Sequence, residues 1–172
     1  MSGLANQYNA INLSQGFPNF ETSKVLKDLV AKAMMDGHNQ YAHTRGDRVL
    51  RNVLSSKINN NYQTFYHPEN EITVTAGATE ALFNAITAFV HKNDEVIIFK
   101  PAFDSYEPVV KLNRGIPIYI QLQYPNYKVN WHEVASKITS KTKMIVINTP
   151  LNPTGTLFDD ADFKALENLV KN

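Results

Sequence analysis

Alternating strand-like and helix-like stretches predict an α/β fold, a mixed, mostly parallel sheet covered by helices on both faces. Two observations carry this. From residue 72 onward, β-branched runs alternate with stretches whose apolar residues recur at helical spacing. The run Ile145-Val146-Ile147 is apolar without alternation, as a buried strand is, and ends in a loop rich in Asn, Pro and Gly.

The elements follow in order. Residues 1–14 read as an extended arm, with Ile11 and Leu13 alternating with polar neighbours, and residues 14–18 as a turn. Over 23–37, Val25, Leu26, Leu29, Val30, Ala33 and Met34 mark a helix that Gly37 can cap. Val49, Leu50, Val53, Leu54 and Ile58 mark a second over 47–60. Strands are predicted at 72–75, 95–99, 116–122 and 143–147, and helices at 80–91, 105–113, 131–138 and 159–171. A change of pattern places one boundary near residue 40, dividing the chain into 1–40 and 41–172.

Composition narrows the function classes. With 172 residues, 43% hydrophobic and 19% charged, the chain can bury a core. A net charge of +1 gives no electrostatic footprint for nucleic acid or an anionic membrane. The absence of cysteine excludes disulfides, thiolate metal sites and a thiol nucleophile. No basic-then-apolar leader opens the chain and no apolar run is long enough to span a bilayer, so the expected location is the cytoplasm. The five histidines lack metal-ligand spacing, and Asp94, Glu95, Asp159 and Asp160 read as turn and helix-start carboxylates.

Four segments carry chemistry. In Asn148-Thr-Pro150-Leu-Asn152-Pro153-Thr-Gly155, prolines on both sides restrict the backbone around Asn152 and Gly155 permits the exit turn, so one amide is held at a fixed point. In Ala76-Gly77-Ala78-Thr79-Glu80, small residues lead into a helix whose first-turn N–H groups and dipole favour a phosphate, and Thr79 can add a hydroxyl. The same residues also suit a plain N-cap packed on a sheet. The segment matches neither the dinucleotide fingerprint nor the Walker A pattern. Phe103, in Pro101-Ala-Phe103-Asp-Ser-Tyr106, follows a predicted strand and can either stack on a ligand ring or fill the core. The fourth is Ser14-Gln-Gly16-Phe17-Pro18-Asn-Phe20, a turn near the amino terminus.

Together these segments resemble fold-type I pyridoxal-phosphate aminotransferases of class I/II, in the family's order, over about residues 12–172. The resemblance implies a three-layer α/β/α large domain, of which this chain is a truncated form, preceded by an N-terminal arm and helix. It implies pyridoxal 5'-phosphate as cofactor, with Gly77, Ala78 and Thr79 around its phosphate, Phe103 stacked on its ring and Asn152 bonded to its phenolic oxygen. Gln40-Tyr41 with Gly46 resembles the segment whose Tyr, here Tyr41, reaches the phosphate held by a partner subunit, so a homodimer is implied. Gly16 corresponds to a backbone position beside the substrate carboxylate, and Phe17 to the pocket wall. The string Asn12-Leu-Ser-Gln-Gly16-Phe-Pro18 is most similar to the methionine and kynurenine (glutamine) transaminase branch. That branch implies amino-group transfer from methionine, or another large uncharged amino acid, to a 2-oxo acid. A carbon–sulfur lyase on the same fold and a non-catalytic truncated protein are the alternatives these motifs leave open.

The family's Schiff-base lysine, the carboxylate at the pyridine nitrogen and the substrate-binding arginine fall beyond Asn172, so no catalytic residue is expected within this chain. Lys100 sits nearest the expected crevice but reads as an exposed or salt-bridged lysine. An uncovered sheet edge and apolar face are further expectations.

Overall fold

The computed structural model describes residues 1–14, 16 and 18–171. The elements are α1 (Ser2–Gln7), α2 (Lys24–Met35), α3 (Arg48–Tyr62), α4 (Ala78–Phe89), β1 (Glu95–Lys100), α5 (Tyr106–Leu112), β2 (Ile116–Gln121), α6 (Trp131–Lys137), β3 (Thr142–Val146) and α7 (Asp160–Val170). They divide into two compact units, Met1–Asp47 and Arg48–Asn172.

In the first unit, residues 2–7 are helical, which corrects the extended arm expected over 1–14. The helix has a local stop signal. Asn9 adopts φ +48°, the Ala10 N–H donates to the Ala5 carbonyl at 2.8 Å, and the Asn9 N–H donates to that of Asn6. This is the Schellman pattern, with Asn in the left-handed position usually given to Gly. Helix α2 ends the same way. Gly37 has φ +91°, and His38 and Gly37 donate back to the Ala33 and Met34 carbonyls. The apolar stripe of α2, including Val25, Leu29, Val30 and Met34, remains exposed.

The second unit is an α/β layer structure. Strand order is β2-β1-β3, and both pairings are parallel. The β1–β3 ladder contains a bulge: Glu95 pairs with Thr142, but Val96 pairs with Met144, so Lys143 has no opposite residue. Residues 72–75, expected as a strand, are not one. The segment has strand-like chemistry, yet it pairs with no neighbour among the described residues, and a strand exists only through its ladder.

Period-two alternation in β1 feeds two cores. On one face, Val96 and Ile98 meet Ile86 and Val90 of the α4 region and Tyr106, Val109 and Val110 of α5. On the other, Ile97 and Phe99 meet Ile120, Leu122, Leu151 and Val134 of α6. Burying each large aliphatic or aromatic side chain contributes about 1.5–3 kcal/mol. Behind the second core, Phe99, Trp131 and Phe158 meet edge-to-face at 6.0–6.1 Å between ring centroids. Trp131 Nε1 donates to Asp162 Oδ1 at 2.9 Å, and Asp162 also closes a capping box with Asp159 at the start of α7. Helix α3 is tied to the following segment by Arg51, which is almost wholly buried and donates to the Pro68 carbonyl and to Glu69 Oε2.

Candidate functional site

Three segments of the second unit leave or approach the same end of the sheet. Because β1 and β3 are parallel neighbours, the loops that follow them, 101–105 and 147–159, both start from the carboxyl edge. Only Val90–Asp94 separates α4 from β1, and Leu82, Ile86 and Val90 share the first core with Val96 and Ile98 of β1. Helix α4 therefore runs back along β1 and directs its N-terminus toward that carboxyl edge. A crevice at this edge is where open α/β sheets place ligands.

The N-terminus of α4 presents free backbone donors. Gly77 has φ +85°, a left-handed conformation that a side chain would strain, and an added Cβ would meet only open space. The N–H groups of Ala78, Thr79 and Glu80 have no hydrogen-bond partner among the described residues, as the first turn of a helix leaves them. The Thr79 hydroxyl also has none, and all three residues are exposed. Two donors of the segment are already taken, that of Gly77 by the Thr75 carbonyl at 2.8 Å. Glu80 Oε2 accepts from the Ala76 N–H at 2.5 Å, a self-capping contact that sequence reasoning missed, although a Glu four positions on was its signal.

The 147–159 loop is cross-braced. Its Thr149–Pro150 and Asn152–Pro153 peptide bonds are cis. The Asn152 N–H donates to Asn148 Oδ1 at 2.8 Å, Leu151 donates to Thr156, and Gly155, at φ +74°, donates to Leu151 at 2.7 Å. Phe158 N–H donates to Thr149 Oγ1 at 3.0 Å. Leu151 and Phe158 are buried, anchoring the loop at both ends, while the Asn152 side chain is exposed and its amide has no partner among the described residues. Asn148 thus holds the backbone of Asn152, a role not read from the sequence.

Phe103 is half-buried. It packs on the first core and meets Tyr106 edge-on, with ring centroids 5.7 Å apart. Beside it lies a charged cluster. Lys100 Nζ is 2.8 Å from Glu107 Oε2 and 5.0 Å from the centre of the Tyr119 ring, and Lys111 Nζ is 2.6 Å from Glu107 Oε1. Hydrogen bonds from Lys100, then Lys111 and Tyr119, hold the Glu107 carboxyl down at about 2, and the hydrogen bond to Glu107, then its charge, pushes Lys111 above its ordinary value. Burial, reinforced by the contact with Glu107, raises the Tyr119 phenol, and burial alone raises that of Tyr106.

The donor set of the second unit fits the cofactor implied by the resemblance. Free backbone N–H groups at the positive end of a twelve-residue helix suit a phosphate dianion, an exposed amide suits a phenolate oxygen, and an aromatic face suits a pyridine ring. Gly16 and Tyr41 belong to the first unit, where both are exposed. Phe17 lies outside the described residues. No group of three or more His, Cys, Asp or Glu able to hold a metal occurs among the described residues, and no helix there is long and apolar enough to cross a membrane.

Comparison with known proteins bears on the whole chain. The family model for aminotransferase class I and II matches residues 8–172. Methionine aminotransferase of Escherichia coli is 45% identical over 166 residues, covering 96% of this chain and 43% of that protein. Kynurenine–oxoglutarate transaminase of Dictyostelium discoideum is 36% identical, covering 98% and 42%. The crystal structure of YbdL from Escherichia coli, identified there with a methionine aminotransferase function, superposes with a TM-score of 0.95 at 43% identity, over 99% of this chain and 45% of that one. The chain thus spans less than half the length of the relatives it matches. With its α/β layers, its parallel sheet and a family match over nearly its full length, the chain belongs to the class I and II aminotransferases.

Proposed function

We propose that this chain supplies the phosphate cradle, ring platform and phenolate-oxygen donor of a pyridoxal-phosphate aminotransferase acting on methionine or another large uncharged amino acid. The observation that supports the reading is that the loops after the parallel neighbours β1 and β3, which carry the half-buried Phe103 and the exposed amide of Asn152, start from one sheet edge, while α4 offers the unpaired N–H groups of Ala78, Thr79 and Glu80. The 45% identity to a methionine aminotransferase supports the substrate class.

Within this reading each group has one task. Ala78 and Thr79 fix the phosphate and hence the register of the ring, Phe103 keeps the ring in one plane, and Asn152 donates to its oxygen. When bound, the cofactor supplies an electron sink for the carbon that gains or loses the amino group. Gly16 lets a substrate carboxylate approach the backbone, and Phe17 lines an apolar pocket. Tyr41 donates to the phosphate held by a second subunit of a homodimer. The lysine that shuttles the proton, the carboxylate at the ring nitrogen and the arginine for the substrate belong to the part of the family fold this chain does not span. Residues 1–40 serve as arm and start of the small domain, and 41–172 as the first part of the large domain. The protein acts in the cytoplasm.

Titration with pyridoxamine 5'-phosphate, read by the circular dichroism induced in its absorption band, tests the assignment. Asn152→Ala weakens binding about threefold to tenfold, the worth of one hydrogen bond. A wild-type protein that induces no signal overturns it. For the complete protein, methionine plus a 2-oxo acid must yield a new amino acid. Release of ammonia and a 2-oxo acid from a thioether amino acid, without transfer, would instead mark a carbon–sulfur lyase.

A further inference from the structure

Lys100 ends β1 and Glu107 lies in the first turn of α5, so the pair brackets the loop that carries Phe103. Both ends of this bracket are anchored. The Lys100 carbonyl accepts from the Leu122 N–H at 2.8 Å, fixing the residue to the end of β2. Its ammonium lies on the face of the sheet that β1 shares with Val96 and Ile98, and spans to Glu107 at 2.8 Å over the Tyr119 ring. The side chains of Lys100 and Glu107 are 31% and 29% exposed, so their contact is shielded more than a surface pair. Among the described residues the backbone of the loop is held by two long bonds, from the Tyr106 N–H to the Phe103 carbonyl at 3.4 Å and from the Val109 N–H to the Ser105 carbonyl at 3.5 Å.

We propose that Lys100 and Glu107 form a clasp that sets the height and tilt of the Phe103 ring, making both of them positioning residues for cofactor stacking. The proposal rests on the reading of Phe103 given above. Two features separate a clasp from a generic ion pair. The pair joins the two ends of one loop, whereas the second cation on Glu107, Lys111, sits one turn along the same helix and cannot restrain the loop. The tie also runs over an aromatic ring, which restricts the ammonium to one side of the sheet.

The test uses pyridoxamine 5'-phosphate with the wild-type protein and with Lys100→Met, Lys100→Arg, Glu107→Gln and Lys111→Met, each first shown to be folded by far-ultraviolet circular dichroism. Lys100→Met is expected to lower the induced signal per bound ligand and to weaken affinity about threefold to tenfold, the range of an aromatic stacking contact. Inorganic phosphate should compete with an unchanged constant, because the α4 cradle is untouched. Lys100→Arg should restore the signal, and Lys111→Met should keep it. Glu107→Gln should reproduce the loss, and serves alone should Lys100→Met fail to fold. Wild-type signal and affinity in Lys100→Met or Glu107→Gln overturn the clasp while leaving the cofactor site standing. An equal loss in Lys111→Met also overturns it. A wild-type protein with no induced signal overturns the clasp and the cofactor reading together.

Discussion

Gly115, between α5 and β2, is the position where one added methyl group has the most calculable effect. A Cβ built there lies 2.7 Å from Val90 Cγ1, 3.0 Å from Val110 Cγ1 and 3.2 Å from the Asp94 carbonyl oxygen, where ordinary contact begins at 3.4 Å. None of the three neighbours yields easily. Val90 and Val110 are buried, at 1% and 0% exposure, and are stiff at χ1. The Asp94 carbonyl accepts the Ile116 N–H at 2.8 Å, so moving it disturbs the start of the β1–β2 ladder. Overpacking of this kind costs about 1–3 kcal/mol, of which about 0.4–1 kcal/mol is offset by the reduced freedom of the unfolded chain. Gly115→Ala should therefore destabilise by about 1–2 kcal/mol, read as a lower urea midpoint at unchanged slope. The double variant Val90→Ala/Gly115→Ala provides the stringent check. Val90→Ala alone leaves a void and costs about 1–3 kcal/mol, but in the double variant the methyl added by Gly115→Ala enters that void. The double variant should be more stable than the sum of the singles predicts, by about 1 kcal/mol. Additivity within about 0.5 kcal/mol, or an unchanged midpoint for Gly115→Ala, would refute the steric reasoning.

Gly155→Ala isolates backbone strain instead. Its φ of +74° is unfavourable for Ala, while an added Cβ meets nothing within 4 Å, so a loss of about 1–2 kcal/mol in urea denaturation is expected and no neighbouring truncation should rescue it. Asp162→Ala orphans the Trp131 N–H and removes the half of the α7 capping box that satisfies the Asp159 N–H, for about 1–3 kcal/mol, whereas Asp162→Asn should recover most of it. Trp131 is the chain's only tryptophan, so its fluorescence reports the change directly. Glu107, held at about 2 against an ordinary 4.5, binds protons less readily folded than unfolded. Its contribution is complete above pH 4.5 and declines as pH falls toward 2. The stability gap between wild type and Glu107→Gln should accordingly shrink over that interval, and a gap independent of pH would contradict the assignment.

The sheet and most helices were legible because they bury apolar stripes or β-branched runs, and α2 and α3 each begin within one residue of the expected position. Helix α1 was not, since Ser2–Gln7 contains Leu4 and little else to mark a face; local capping by Asn9, rather than a buried stripe, ends it. At 72–75 the residue types favour a strand, but pairing is decided by what lies alongside, which no local pattern encodes. The candidate site was legible where it depends on turn chemistry. Gly77 and Gly155 both adopt the left-handed conformations for which glycine is suited. It was illegible where it depends on reach. Lys100 could be read as salt-bridged, but Glu107 could not be chosen as its partner without knowing how the intervening loop folds.

The unpaired Lys143 has a consequence for how chain length can vary. Beyond the bulge, Met144 shares a face with Val96 and Ile145 faces the second core with Ile97, so the alternation of β3 is in phase with that of β1 only because one residue is looped out. Removing Lys143, which is exposed, would turn a bulged ladder into a regular one while every later pairing kept its partner. Removing Met144 would draw Lys143 into the core slot opposite Val96, and removing Ile145 or Val146 would shift the preceding residues by one and carry apolar side chains to the wrong layer. Within this strand, a one-residue deletion is structurally silent at one position and disruptive at its neighbours.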